Sequence, residues 1–129
     1  PNALEILTRL SGKYALGLLT NGAPDLQREK IVASGLENLF NEVVISGVYG
    51  IGKPRPEIFL HLTDRLGVPP AEAIMVGNSL ERDVHGAQNA GIRSVWFKVP
   101  GSEEHAPVKP NFTITALAEL PELLERLEL

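Results

Sequence analysis

The feature that most constrains this chain is an alternation of two patterns. Short, uninterrupted apolar runs, each closed by a Gly, Asn or Ser turn, take turns with stretches whose apolar residues recur at helical spacing. Tyr14–Leu19, Glu42–Ile45, Ala73–Val76 and Arg93–Lys98 are the runs. A run apolar at consecutive positions suits a strand buried on both faces, as in a parallel sheet. Helical patterns cover Ala3–Leu10, Pro24–Ala33, Pro56–Leu66, Leu80–Ala90 and Pro121–Leu127. Pro24 and Pro56 suit first helical turns, and Gly67 and Gly91 suit helix ends. Phe112–Thr115 reads as a last short strand. Repeated strand–helix alternation predicts an α/β fold with a doubly wound parallel sheet.

Length and charge narrow the class. At 129 residues the chain reads as one domain, residues 1–129. It has no cysteine, which removes disulfides, thiolate metal sites and a Cys nucleophile, and is compatible with the expected cytoplasmic location. Net charge is −4 and the 12 Lys and Arg are scattered, so a nucleic-acid partner is not expected. No apolar stretch approaches the ~18 residues of a membrane span, and Pro1–Leu10 lacks the pattern of a secretory signal.

In doubly wound sheets, ligands gather outside the C-terminal ends of the strands. Three places qualify. Thr20-Asn21-Gly22 follows the first run: a hydroxyl and turn amides there form either an anion cradle or a turn with a helix N-cap. Lys53 lies between glycines and prolines, at 50, 52, 54 and 56, that fix the backbone close to any ligand. It reads either as a point charge for a phosphate or as a surface lysine. Asn78 and Asp83 flank the turn into the next helix. They read either as oxygen ligands of the kind Mg²⁺ takes or as turn and helix-start residues. His61, His85 and His105 have no metal spacing among them, Ser79 suits a cap, and Trp96 and Phe97 suit core or interface.

Three segments in order carry a family pattern: Leu18-Leu19-Thr20-Asn21-Gly22, then Gly52-Lys53-Pro54-Arg55-Pro56-Glu57-Ile58-Phe59, then Ile74-Met75-Val76-Gly77-Asn78-Ser79-Leu80-Glu81-Arg82-Asp83. With Ala90-Gly91-Ile92 and the terminal Ala-Glu-Leu-Pro-Glu-Leu-Leu stretch, the chain resembles the haloacid dehalogenase-like (HAD) hydrolases, in particular their phosphoglycolate-phosphatase-like and nucleotidase branch. The resemblance implies a Rossmann-like core and a Mg²⁺-dependent phosphomonoester phosphatase acting through an aspartyl-phosphate. Thr20 then matches the second motif and, with the amides of Asn21 and Gly22, binds phosphoryl oxygens. Lys53 matches the third-motif lysine. Asn78 and Asp83 match the fourth, metal-holding motif, where Asn78 stands in place of the usual Asp and removes a charge.

The family's first motif, Asp-x-Asp-Gly-Thr/Val, supplies the nucleophile, and no Asp-x-Asp occurs in this chain. The cap domain that follows that motif is not expected either. The resemblance therefore implies a core truncated on its N-terminal side, inactive or nearly so by itself, with a small phosphorylated molecule or inorganic anion as its ligand. The missing strand belongs between the strands ending at Thr20 and at Val76. The alternative is a non-catalytic anion-binding or subunit protein that associates with another chain. A homodimer, formed by edge pairing or by exchange of Asn2–Leu10, is the favoured way to cover the open edges.

Overall fold

A computed structural model describes residues 3–20, 39–45, 53, 55–98 and 108–127. The predicted helix Pro24–Ala33, the turn residues Asn21 and Gly22, and most of the polar stretch 100–110 lie outside the described residues.

Five short strands carry the fold among the described residues: β1 (Gly17–Thr20), β2 (Glu42–Ile45), β3 (Ile74–Gly77), β4 (Arg93–Phe97) and β5 (Phe112–Ile114). The helices are α1 (Ala3–Ser11), α2 (Pro56–Leu66), α3 (His85–Asn89) and α4 (Leu120–Arg126). All strand pairings are parallel, as the apolar runs require. β1 pairs with β2 with Leu18 opposite Val43, and β3–β4–β5 form a second ladder with Val76 opposite Val95 and Trp96 opposite Thr113. Among the described residues the parallel sheet falls into a two-stranded and a three-stranded piece, and no ladder joins β1 to β3. The two central strands did not pair directly.

Each face of the strands has its own core. On one face Leu19, Val44 and Ile92 meet Ile58, Phe59 and Leu62 of α2 and Ala87 of α3. On the other, Val95 and Ile114 meet Ile6 and Leu10 of α1 and Leu120, Leu123 and Leu124 of α4. Successive residues of β3 serve opposite cores: Met75 packs on the first, and Ile74 and Val76 on the second. This is the period-2 geometry of a strand covered on both sides. α1 is part of this packing.

Two boundaries differ from the sequence reading. The run Tyr14–Leu19 enters the sheet only at Gly17. Tyr14 spends its N–H on the Leu10 carbonyl (2.8 Å), which closes α1, and the Leu16 N–H donates to Asn41 Oδ1 (2.7 Å). A backbone group committed to a turn is not available to a ladder. The predicted helix Leu80–Ala90 opens with a π-helical turn, Leu80–Val84, in which Val84 N–H reaches back to the Ser79 carbonyl (3.1 Å) and His85 N–H to that of Leu80. Gly67, at φ 74°, ends α2 as the sequence predicts, donating to the Asp64 carbonyl.

The turn before α4 is held by one carboxylate. Glu119 Oε2 accepts from Thr115 N (2.8 Å), Ala116 N (2.7 Å) and the Thr115 hydroxyl (3.2 Å). Backbone donors that favour the charged form hold this carboxyl below the usual carboxylate range. Because the folded pKa is the lower one, the stabilisation is present above the ordinary carboxylate pKa and is lost as pH falls through the lowered value. Carbon-13 titration of Glu119 is expected to show a midpoint below the usual carboxylate range. In Glu119→Gln the acid limb of unfolding is expected to lose the part due to this group.

Candidate functional site

The chemistry-bearing residues meet where the chain leaves β3. Lys53 comes from the Gly/Pro loop after β2, and Asp83 from the π-helical turn after β3. Separated by 30 positions, they are brought together with Lys53 Nζ 2.6 Å from Asp83 Oδ1. Asp83 is 4% exposed and the Lys53 side chain 15%. The other carboxylate oxygen, Oδ2, accepts from Ser79 N–H at 3.1 Å. Each oxygen of a buried carboxylate therefore has a donor, the condition under which a charge is tolerated in an interior.

Local sequence explains how Asp83 reaches that position. Ser79 caps the turn, its Oγ accepting from Arg82 N–H at 3.1 Å, while its carbonyl accepts from the N–H groups of both Asp83 and Val84. This winds the turn wider than an α-helix and swings Asp83 back over the end of β3. π-turns inside helices recur at functional sites for this kind of side-chain placement. Gly77 makes the approach possible: a Cβ there would overlap the Asp83 carboxylate. The sequence reading assigned Gly77 only to a turn. Its real demand, the absence of a side chain under a carboxylate, depends on a contact that spacing does not reveal.

Asn78 stands exposed on the same turn, and its backbone carbonyl accepts from Trp96 Nε1–H at 3.1 Å. Trp96, read from sequence as core or interface area, is only half-buried and braces this turn. The Lys98 ammonium lies 5.8 Å from its ring centroid. Thr20 is the last residue of β1; its side chain, like Asn21 and Gly22, lies outside the described residues. Ser79 is a cap, as expected. Among the described residues no three acidic or His side chains are grouped as a metal cluster. Asp83 and Asn78 offer one carboxylate and one amide. Mg²⁺ often takes few protein ligands and completes its shell with water and phosphate oxygens, so this donor chemistry suits it and does not suit zinc.

The close approach gives a direct test. Gly77→Ala is expected to displace Asp83 and cost about 1–3 kcal/mol, as for overpacking elsewhere. Denaturant unfolding would measure the loss, and an unchanged midpoint would show that the turn accommodates a methyl group without moving the carboxylate.

The site can be set beside known proteins. A family model for hydrolases, the haloacid dehalogenase-like hydrolase, matches residues 1–91. The chain is 47% identical over 106 residues to phosphoserine phosphatase of Thermus thermophilus, covering 82% of this chain and 43% of that protein. It is 40% identical over 129 residues to glyceraldehyde 3-phosphate phosphatase of Pyrococcus furiosus, covering 99% of this chain and 54% of that one. Among solved structures, the HAD-hydrolase YfnB from Bacillus subtilis bound to magnesium superposes with a TM-score of 0.85 at 29% identity, over 95% of this chain and 54% of that chain. The chain spans about half the length of the curated relatives it matches. The family match, the parallel α/β architecture and the placement of Lys53 and Asp83 at one strand end agree, and the chain belongs to the haloacid dehalogenase-like hydrolase family.

Proposed function

We propose that these residues form the phosphoryl-binding side of a phosphomonoester phosphatase core. The observation that carries this reading is the buried Lys53–Asp83 pair at the end of β3. Lys53 is a fixed positive charge at the mouth of the sheet, where strand ends in this architecture meet ligands. A phosphoryl group placed there gains a charge-assisted hydrogen bond from the ammonium. Asp83 holds the ammonium in position, so little side-chain entropy is lost on binding. Thr20, Asn21 and Gly22, which match the family's second motif in sequence, are included in this reading as further phosphate-binding residues. The names of the relatives, phosphoserine and glyceraldehyde 3-phosphate phosphatase, support a phosphate monoester as ligand class.

Mg²⁺ belongs to this reading, as in the magnesium-bound relative. When bound, it neutralises charge on the phosphoryl oxygens; here Asp83 and Asn78 would hold it, with phosphate and water completing the shell. Covalent phosphoryl transfer needs a nucleophile, and the sequence contains no Asp-x-Asp pair to provide one. These 129 residues are therefore proposed to bind phosphate without turning over a monoester by themselves. That behaviour also fits the reading as an anion-binding subunit.

Two measurements test this. Titration with inorganic phosphate, followed by amide NMR, is expected to shift Lys53 and Asn78. In Lys53→Met the affinity is expected to fall about tenfold or more. Shifts confined to surfaces away from β3, or binding indifferent to Lys53, would refute the site. Hydrolysis of p-nitrophenyl phosphate with Mg²⁺ is expected at background, and turnover abolished by Lys53→Met would overturn the proposed inactivity. Lys53→Met also leaves Asp83 buried without its cation, so a stability loss of about 3–5 kcal/mol is expected; binding is compared at a temperature where both proteins are folded.

A further inference from the structure

One peptide group beside the Lys53–Asp83 pair is gripped at both ends. Its carbonyl, that of Asn78, accepts from the Trp96 indole Nε1–H at 3.1 Å. Its N–H, that of Ser79, donates to Asp83 Oδ2 at 3.1 Å. The other oxygen of the same carboxylate, Oδ1, accepts from Lys53 Nζ at 2.6 Å. Indole, peptide, carboxylate and ammonium therefore form one continuous line of hydrogen bonds, drawn from β4, from the turn after β3 and from the loop after β2.

We infer that Trp96 is a positioning residue for the Lys53–Asp83 pair. Its indole N–H sets the plane of the Asn78–Ser79 peptide, the peptide N–H sets the Asp83 carboxylate, and the carboxylate sets the Lys53 ammonium. The consequence for phosphate rests on the phosphate-binding reading of this site; the transmission of position from Trp96 to Lys53 does not.

Three observations carry this. First, a trans peptide group is planar, and its C=O and N–H point in opposite directions. A group that fixes the carbonyl also fixes the direction of the N–H. Tilting this peptide away from Trp96 turns the Ser79 N–H away from Asp83. The two bonds also reinforce each other, because an amide that accepts at oxygen donates more strongly at nitrogen.

Second, the hydrogen bonds that wind the turn act on other groups. Ser79 Oγ accepts from Arg82 N–H, and the Ser79 carbonyl accepts from the N–H groups of Asp83 and Val84. These contacts hold the Ser79 side chain and the peptide that follows Ser79. The peptide that precedes Ser79 is gripped from a different strand, by a residue 18 positions away from Asn78.

Third, strand register puts the indole on the correct face. Trp96 pairs with Gly77 across β3 and β4, one step beyond the pair Val76 and Val95. Val76 and Val95 share the core under α1 and α4, so Gly77 and Trp96 share the opposite face. That is the face on which the Asp83 carboxylate stands over Gly77. A phenylalanine would cover similar apolar ground there, whereas the indole N–H is the group that reaches the carbonyl.

The test separates the N–H from the ring. Replacing Trp96 with benzothienylalanine exchanges the N–H for sulfur and keeps the shape; a ring-fluorinated tryptophan keeps both and is the control. Trp96→Phe is read in the same way if the sulfur analogue fails to fold. Scalar couplings across hydrogen bonds report each contact separately. One runs from Trp96 Nε1 to the Asn78 carbonyl carbon, the other from Ser79 N to the Asp83 carboxyl carbon. Both are expected in the wild-type chain, and absence of either overturns the inference. In the sulfur analogue the Ser79–Asp83 coupling is expected to weaken or vanish and the Lys53 ammonium resonance to shift. Inorganic phosphate is expected to bind about fivefold more weakly. The fluorinated control is expected to match the wild type.

A residue that only supports the fold would lower the denaturant midpoint and leave the coupling, the Lys53 resonance and phosphate affinity of the folded protein unchanged; that pattern overturns the inference. Weaker phosphate binding with the Ser79–Asp83 coupling intact also overturns it, since the effect then bypasses the peptide. A weakened coupling with unchanged phosphate affinity overturns the role of Trp96 in the site. A wild-type chain that binds no phosphate refutes the phosphate reading instead, and the coupling and the Lys53 resonance then decide the inference by themselves.

Discussion

A parallel strand in the middle of a sheet has two faces to bury and two edges to pair, and every part of this molecule answers that requirement. The faces are covered by helices: α2 and α3 lie on one side, α1 and α4 on the other, and successive residues of β3 feed alternate cores. The edges are met only in part, because among the described residues β1 and β3 each have one ladder neighbour. Burial is nondirectional and can be completed by helices packing from above and below. Backbone pairing is directional and needs another strand. The same chain therefore forms two packed cores and a divided sheet, and the division lies where the chemical groups converge.

The Lys53–Asp83 pair shows how this convergence is built. An isolated buried pair is a weak source of stability, since desolvation offsets most of the attraction. Its value lies in position. Asp83 is aimed by a π-turn, admitted by the missing side chain of Gly77 and tethered through Oδ2 to Ser79 N–H. Lys53 is then fixed by Asp83. A surface lysine samples many rotamers, whereas this one presents its charge at a single place at the end of the sheet.

Much of this was legible in the sequence. The runs of consecutive apolar residues specify buried parallel strands, and β2 has the predicted bounds, Glu42–Ile45. The Gly67 cap follows from a glycine after a helical pattern. Lys53 and Asp83 were singled out because both follow strand ends, and topology brings strand ends together. What escaped was decided by contacts between distant residues. Tyr14–Leu16 is as apolar as a strand, but Leu10 and Asn41 capture its backbone donors. The π-turn depends on two N–H groups sharing the Ser79 carbonyl, and Leu80–Ala90 carries the ordinary helical pattern. The bracing of Asn78 by Trp96 joins residues 18 positions apart through an indole N–H, a donor that hydropathy patterns treat as apolar bulk.

That indole has a practical consequence. Trp96 is the sole tryptophan of the chain, so its emission comes from one ring in one environment. The ring is half-buried, donates to the carbonyl of Asn78 and lies near the Lys98 ammonium. Any event that moves the turn between β3 and Asp83 must lengthen, bend or break the indole hydrogen bond, or change the solvent access of the ring. The protein therefore carries an intrinsic fluorophore wired to its most chemically charged turn, readable without a label.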